Sequence, residues 1–344
     1  MKKDNSKIKQ IADSLGLSVA TVSVVLNGRG DSVRISKKTQ KKVWDEAKKF
    51  NYTPNIYARR LRTGVGSDNT YVIAAFWNVT YYLNEMFAAL TRAVMEQEEE
   101  KGINIELVVV PYTSGMISEE AYKISSNRYS GVLVFGPSGN DTEFFKENEF
   151  NIPVIFCNRR IDGYSSVIID DFLAGEMCAM HFHERGIKTA GLLGVDPDNA
   201  AATHRCQGFL EKAKELDISV KKSWIVSDNS RNTSSGYSSM NRMLDSSSYP
   251  EGLYVMYDTV IVGVLRSMKE HGLKSPDDIE IVSYGDNVVL HYLTPTITTI
   301  RVPTTQLVLS MLSLLISVLE GKKTATIIKE DPSMVYRESS PSPQ

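Results

Sequence analysis

The chain has 344 residues, 42% hydrophobic, 23% charged and 9% aromatic, with a formal net charge of −2. That length suits two or three domains with separate cores, and no run reaches the roughly 18 consecutive apolar residues of a membrane-spanning helix. The charged start MKKDNSKIKQ lacks a signal core and the three cysteines (Cys157, Cys178, Cys206) lack metal or redox spacing, so a cytoplasmic protein is expected.

Charge is unevenly distributed. Residues 1–65 hold 15 Lys and Arg against five acids, a net of +10, which leaves 66–344 at −12. A basic head on an acidic body fits a polyanionic partner for the head; a lysine-rich solvated surface fits the charge equally well. Apolar spacing separates the two. Ile8, Ile11, Ala12 and Leu15 mark one face of a short helix, which Gly16 stops. Ser18 stands at the N-cap of a second helix, with Val22, Val25 and Leu26 inward and Val19, Ala20, Ser23, Val24 and Asn27 outward. Gly28 ends it, and a polar turn over 29–32 follows. Ser36 then caps a third helix whose inward residues are Val43, Trp44, Ala47 and Phe50. Two short helices on a tight turn, braced by a third, make a helix-turn-helix. The small outward side chains of its second helix allow close approach to base edges in a major groove.

The run IKQIADSLGLSVATVSVVLNG, then Arg34-Ile35-Ser36, then NYTPNIYARRLRTG, resembles the LacI/GalR (lactose/galactose-repressor) family of bacterial transcription regulators. Specific signatures cover some 60 residues, and weaker ones continue to Arg337. The resemblance implies a DNA interface of Lys7, Ser18, Val19, Ala20, Thr21, Ser23, Val24, Asn27, Arg34, Tyr52, Asn55, Ala58, Leu61 and Arg62. Among these, Val19, Ala20 and Val24 would face the bases, and Lys7, Thr21, Ser23, Asn27 and Arg34 the phosphates. Relatives often carry arginine where this chain has Val24, so its operator is not theirs. The segment after Pro54 would be a hinge helix that orders on the operator, with Leu61 as a minor-groove wedge and Arg59, Arg60 and Arg62 beside phosphates.

From Tyr71 short apolar runs alternate with amphipathic stretches. Strands are expected over 72–76, 105–110, 131–135, 154–157, 191–193, 253–256 and 279–283, and helices over stretches such as 83–101, 174–184 and 202–216. This alternation means parallel sheets with helices on both faces. The fold class is therefore an all-α helix-turn-helix domain followed by an α/β effector domain. By resemblance that domain has two flavodoxin-like subdomains, as in periplasmic sugar-binding proteins. The expected boundaries are a head over 1–53, a hinge over 54–66 and an effector and dimerisation domain over 67–338. Within the last, an N-subdomain covers about 70–169 and 301–327 and a C-subdomain about 170–300 and 328–338. Three strand crossings fall near Ile169, Ile300 and Ile327, and a disordered tail covers 339–344.

Ligands of open parallel sheets bind beyond the carboxyl ends of strands. Trp77 and Tyr82 in those loops can stack on a sugar or base, or simply pack the cleft. The resemblance adds Arg205, which would fork onto effector oxygens as an uncompensated guanidinium. Asn158, Tyr257 and Asp286 complete the expected effector set. Asn158 and Gly285 stand where relatives often have aspartate and Tyr257 where they have asparagine, so a modified or phosphorylated sugar or another metabolite competes with a plain sugar.

His181-Phe182-His183 directs its imidazoles to different helix faces and reads as a solvated helix end rather than a metal site. Asp170-Asp171 reads as a crossover turn, Glu96 and 98–100 as an exposed helix face, and 227–235 as a loop. No dinucleotide, phosphate-loop or nucleophile-elbow motif occurs in context. The expected function is a homodimeric, non-enzymatic repressor without cofactor or metal, reading a pseudo-palindromic operator under control of a small-molecule effector. The alternatives are a regulator that answers to a protein partner and an enzyme with a DNA-tethering head.

Overall fold

The computed structural model describes residues 2–26, 30, 33–50, 70–79, 84–121, 124, 128–197, 199–245, 248–322 and 326–343. The hinge prediction, with Asn55, Ala58, Leu61 and Arg62, lies outside them, as do Asn27, Tyr52 and Tyr82.

Helix α1 (Lys2–Leu15) buries the stripe Ile8, Ile11 and Ala12. Gly16 ends it at φ +61°, which lets the Leu17 N–H return to the Ala12 carbonyl at 3.0 Å. Ser18 Oγ accepts the Thr21 N–H at 3.0 Å and so caps α2 (Val19–Leu26); Ser36 Oγ accepts the Thr39 N–H at 3.1 Å and caps α3 (Lys37–Lys49). Val22, Val25, Leu26, Val43 and Ala47 close one small core over α1, with Leu15, Leu17, Ile35 and Phe50 at its edge. Trp44 corrects the expectation. It is 39% exposed, because positions 43, 47 and 50 already make the inward stripe and a core of this size does not take an indole. No single helix among the described residues is long and apolar enough to cross a membrane.

The chain divides into two compact units. The first comprises Met1–Phe156, Ile161–Ser165 and Met311–Thr326; the second comprises Cys157–Arg160, Ser166–Ser310 and Ile327–Gln344. The α/β part of the first runs β1 (Thr70–Asn78), α4 (Asn84–Lys101), β2 (Asn104–Tyr112), α5 (Ile117–Glu120), β3 (Gly131–Phe135), α6 (Gly139–Glu147) and β4 (Val154–Cys157). Its strands lie in the order β2-β1-β3-β4, all parallel, with Phe76 opposite both Val110 and Val134.

The rest of the chain is β5 (Ser165–Ile169), α7 (Asp171–Glu184), β6 (Ala190–Val195), α8 (Ala200–Glu215), β7 (Ile225–Ser227), α9 (Thr233–Leu244), β8 (Gly252–Val255), α10 (Ile261–Glu270), β9 (Glu280–Tyr284), β10 (Thr298–Arg301), α11 (Thr304–Leu319), β11 (Ile327–Glu330) and β12 (Ser333–Val335). In the second unit β5 and β11 pair in parallel, and the main sheet has the order β7-β6-β8-β9-β10-β12. Only β12 is antiparallel there. Both units thus place their second strand outside their first, the winding of flavodoxin-like folds. Tyr254, Met256 and Val282 face α7 and α8, while Leu253, Val255 and Ile281 face α9 and α10, so each surface of the sheet carries its own core.

Helices α7 and α8 touch backbone to backbone. A Cβ on Gly175 would collide with the Arg205 carbonyl and lie 2.5 Å from the Phe209 nitrogen, and one on Gly208 would collide with the Phe172 carbonyl. Gly175→Ala should therefore separate the pair at a cost of about 1–3 kcal/mol, despite the better helix propensity of alanine. A lowered urea midpoint with an unchanged slope is the expected readout.

Three further expectations are corrected in the second unit. The stretch 227–235 is not all loop, since Asn232 caps α9 by accepting the Ser235 N–H at 2.9 Å, a start hidden in a serine-rich run. The tail does not begin at 339. Ser339 and Ser340 are fully buried, Ser339 exchanging hydrogen bonds with Thr296, Ile281 and Thr298, because these hydroxyls and amides complete pairing that β9 and β10 leave open. His181 is buried rather than solvated. Its Nε2 lies 2.6 Å from Ser340 Oγ, which donates at 2.6 Å to Glu280, itself forked by Arg185. Ser340 has one proton and gives it to Glu280, so His181 is the Nε2–H tautomer and its Nδ1 has no partner.

Burial, opposed by the Glu280 carboxylate and reinforced by Arg185, pushes the His181 pKa down to about 4. The unfolded chain then binds one more proton than the folded chain between that value and about 6.5, so stability falls as pH drops through this window. The urea midpoint should decline accordingly, and His181→Gln, which keeps a donor for Ser340, should flatten the decline.

Candidate DNA interface and effector site

The axes of residues 8–15 and 19–26 meet at 113°, the crossing of a helix-turn-helix. On α2, Val19 and Ala20 are exposed and Thr21, Ser23 and Val24 half-buried, so the expected base-facing positions share the outer side of the helix. Ser18 and Thr21 also bond each other through their hydroxyls at 2.8 Å. Arg34 is exposed in a left-handed turn (φ +58°), and Lys7 lies on α1. Exposed Lys37, Lys38, Lys41 and Lys42 crowd the first turns of α3, which has no acid in its first turn. Cations at the positive end of a helix dipole are unfavourable alone and favourable beside a phosphate.

The second unit gathers its polar groups beyond the carboxyl ends of β5, β6, β8 and β9. Arg205 on α8 is 2% exposed, and its Nη1 donates to Asp171 Oδ1 at 2.5 Å while Nη2 reaches the Met256 carbonyl at 3.3 Å. Its guanidinium carbon lies 3.4 Å from the centroid of the Tyr284 ring. Burial works against the guanidinium charge, and Tyr284 and Asp171 more than offset it, so the Arg205 pKa rises. Burial also raises the pKa of Tyr254, Tyr257 and Tyr284, keeping all three phenols neutral.

Asn158 bonds Asp171 Oδ2 at 3.2 Å, which places it beside Arg205. Tyr257 also lies there: its ring centroid is 5.8 Å from the Arg205 guanidinium and 4.6 Å from that of Arg231. Arg231 is paired with Asp196 at 2.5 Å. Tyr257 and Arg231 line a shallow depression together with Gly194, Asp228, Ser239 and Val260.

The expectation of an uncompensated guanidinium is corrected. The Asp171 carboxylate neutralises Arg205, because Asp171 is the first residue of α7 rather than part of a plain crossover turn. Asp286 has its oxygens taken by Arg301 and Arg337, each at 2.7 Å, and by His291 at 3.2 Å. Burial raises its pKa, but the bonds from the two arginines outweigh this and hold the carboxyl below the usual range. Trp77, in the first unit, packs on Phe135 and edge-on to Phe87. Sequence reasoning places Asp196 and Tyr284 in loops beyond strand ends without giving them a role, and misses Asp171 and Arg231; Asp171, two residues after β5, carries the same positional signal.

Comparison with known proteins matches residues 7–55 to the DNA-binding domain of bacterial regulatory proteins of the lacI family, and residues 179–340 to a periplasmic binding protein-like domain. The chain thus carries a lacI-family domain followed by a periplasmic binding protein-like domain. Among similar proteins, the HTH-type transcriptional repressor PurR of Actinobacillus pleuropneumoniae serotype 3 (strain JL03) is 26% identical over 337 residues, spanning 96% of this chain and 97% of its own. The structure of the regulator CelR in complex with cellobiose superposes with a TM-score of 0.70 at 21% identity, over 96% of this chain and 99% of that one. The lac repressor dimer bound to operator and an anti-inducer gives 0.67 at 21% identity, over 96% and 98%. At that identity the two structures speak for the fold.

Removing one partner of a buried pair strands the other charge. Asp171→Asn should therefore cost about 3–5 kcal/mol in urea unfolding, whereas the double change Asp171→Asn with Arg205→Met should recover most of that loss.

Proposed function

We propose that this LacI-family chain is a sequence-specific, operator-binding transcriptional repressor whose DNA affinity is set by a small effector held at the Arg205 site. The observation that carries the reading is the 113° helix pair with Val19 and Ala20 exposed on its second helix, above a base-rich α3. Homodimerisation supplies two heads for a pseudo-palindromic operator. It is supported by large apolar side chains left exposed in each unit: Phe87, Met95 and Val109 in the first, and Val262, Val288, Val289 and Tyr292 in the second. Relatives of this chain are transcription regulators, and the reading assigns no catalysis.

For the effector, self-neutralised pairs favour a neutral polyhydroxyl molecule. Arg205 with Asp171 and Arg231 with Asp196 offer donors and acceptors side by side without net charge. A sugar hydroxyl uses both, whereas a phosphate would have to displace a carboxylate to gain a guanidinium. The cellobiose held by CelR agrees in class.

The test begins with selection of bound fragments of the source genome by the full chain and by a chain starting at residue 66. Enrichment of a pseudo-palindrome by the full chain alone is expected; equal enrichment by both would remove the head from recognition. Calorimetry follows with the sugar handled by the adjacent genes. Arg205→Lys, which keeps the charge but loses the fork, should weaken binding at least about tenfold. Unchanged affinity would take Arg205 out of the site.

A further inference from the structure

Asn158 follows β4 in the left-handed region, at φ +50°, a conformation that asparagine tolerates better than most residues. Its own N–H donates to the Val167 carbonyl at 2.8 Å, and Arg159 donates to its carbonyl at 2.7 Å. The backbone is therefore held from both sides. Its carboxamide then acts in two directions. Oδ1 accepts the Ile169 N–H at 2.9 Å, and Nδ2 donates to Asp171 Oδ2 at 3.2 Å. The amide cannot be reversed, since that would set oxygen against carboxylate and nitrogen against an N–H.

The other oxygen of Asp171 receives Arg205. One carboxylate is thus held between an amide on one side and a guanidinium on the other. With both oxygens assigned, rotation of the carboxylate would break both bonds together. We propose that Asn158 is a positioning residue, whose amide fixes the rotation of Asp171 and thereby the guanidinium of Arg205, without itself touching effector. The inference rests on Arg205 belonging to the effector site. It also explains the residue type. An aspartate at 158 would keep the acceptor for Ile169 but turn a second carboxylate toward Asp171; only a neutral amide meets both neighbours at neutral pH.

That difference makes the role testable by charge. The groups facing Asp171 are Asn158, Arg205 from α8, Tyr284 from β9 and Tyr254 from β8, with Asp170 and its partner Lys329 alongside. In Asn158→Asp two carboxyls at hydrogen-bond distance cannot both ionise freely, so one stays protonated until the pH is raised. Thermal unfolding of the effector-free full chain is measured between about pH 5 and pH 8. Asn158→Asp should match wild type at the acid end and fall progressively below it, by about 3 °C or more at the alkaline end. Asn158→Gly, which suits the left-handed backbone but has no amide, should lie below wild type by a constant amount. Loss of soluble Asn158→Asp protein only at the alkaline end counts as the same slope.

The second readout is hydrogen exchange of the Arg205 Nε–H by ¹⁵N NMR. It should be slow in wild type and about tenfold faster in Asn158→Gly, and in Asn158→Asp at the alkaline end only. A pH-independent offset for Asn158→Asp, or Arg205 exchange that ignores both changes, overturns the proposal and leaves Asn158 as a cap for the Ile169 amide. Neither measurement contains effector, so failure here is distinguishable from failure of the effector reading, which calorimetry on Arg205→Lys decides.

Discussion

The pairing of Arg205 with Asp171 is the constraint around which the second unit is arranged. Both groups are almost fully buried, and burying two charges is repaid only when geometry is close and the remaining polar atoms find partners. Gly175 and Gly208 let α7 and α8 meet at backbone distance, which brings the first turn of one within reach of the guanidinium on the other. Tyr284 covers its face and the Met256 carbonyl takes a further donor. Take away the small residues at the crossing and the charges lose the distance at which they compensate.

The same matching recurs around the ends of the strands. Asp196 faces Arg231, and Asp286 faces Arg301 and Arg337. Although residues 66–344 sum to −12, the candidate site is close to electrically balanced. The head is the reverse case, with lysines gathered at a helix start where the backbone itself is positive. One part of the chain concentrates positive charge, and the other pairs its buried charges internally.

Much of this was legible from residue spacing. The head stripe of Ile8, Ile11 and Ala12, the capping serines 18 and 36, and β3 and β4 to the residue all follow from periodicity and cap chemistry. The failures share a cause, which is that local rules cannot see distant partners. Asp170-Asp171 reads locally as extended chain, where neighbours diverge, although a helix starts there and gives Asp171 a direction of its own. The spacing of His181 to His183 suggests a solvated helix end, yet the environment of His181 is set by Ser340, 159 residues away. Ser339 and Ser340 look like a polar tail because nothing nearby in sequence reveals the open backbone groups of β9 and β10. Trp44 fits a helical stripe on paper, but the small aliphatic core is already closed by Val43, Ala47 and Phe50 from the same helix region.

Chain order adds a consequence of the buried serines. Among the described residues the core of the head draws on 8–50, so its groups are made before those of either α/β part. The first unit must wait for Met311–Thr326, and the second for Ser339 and Ser340, long after the head is complete. Domains fold as units in the order their residues become available. A chain interrupted anywhere between those points carries a finished head and no complete body, so premature termination or loss of the C-terminus removes the regulated half of the molecule before it removes the half that reads DNA.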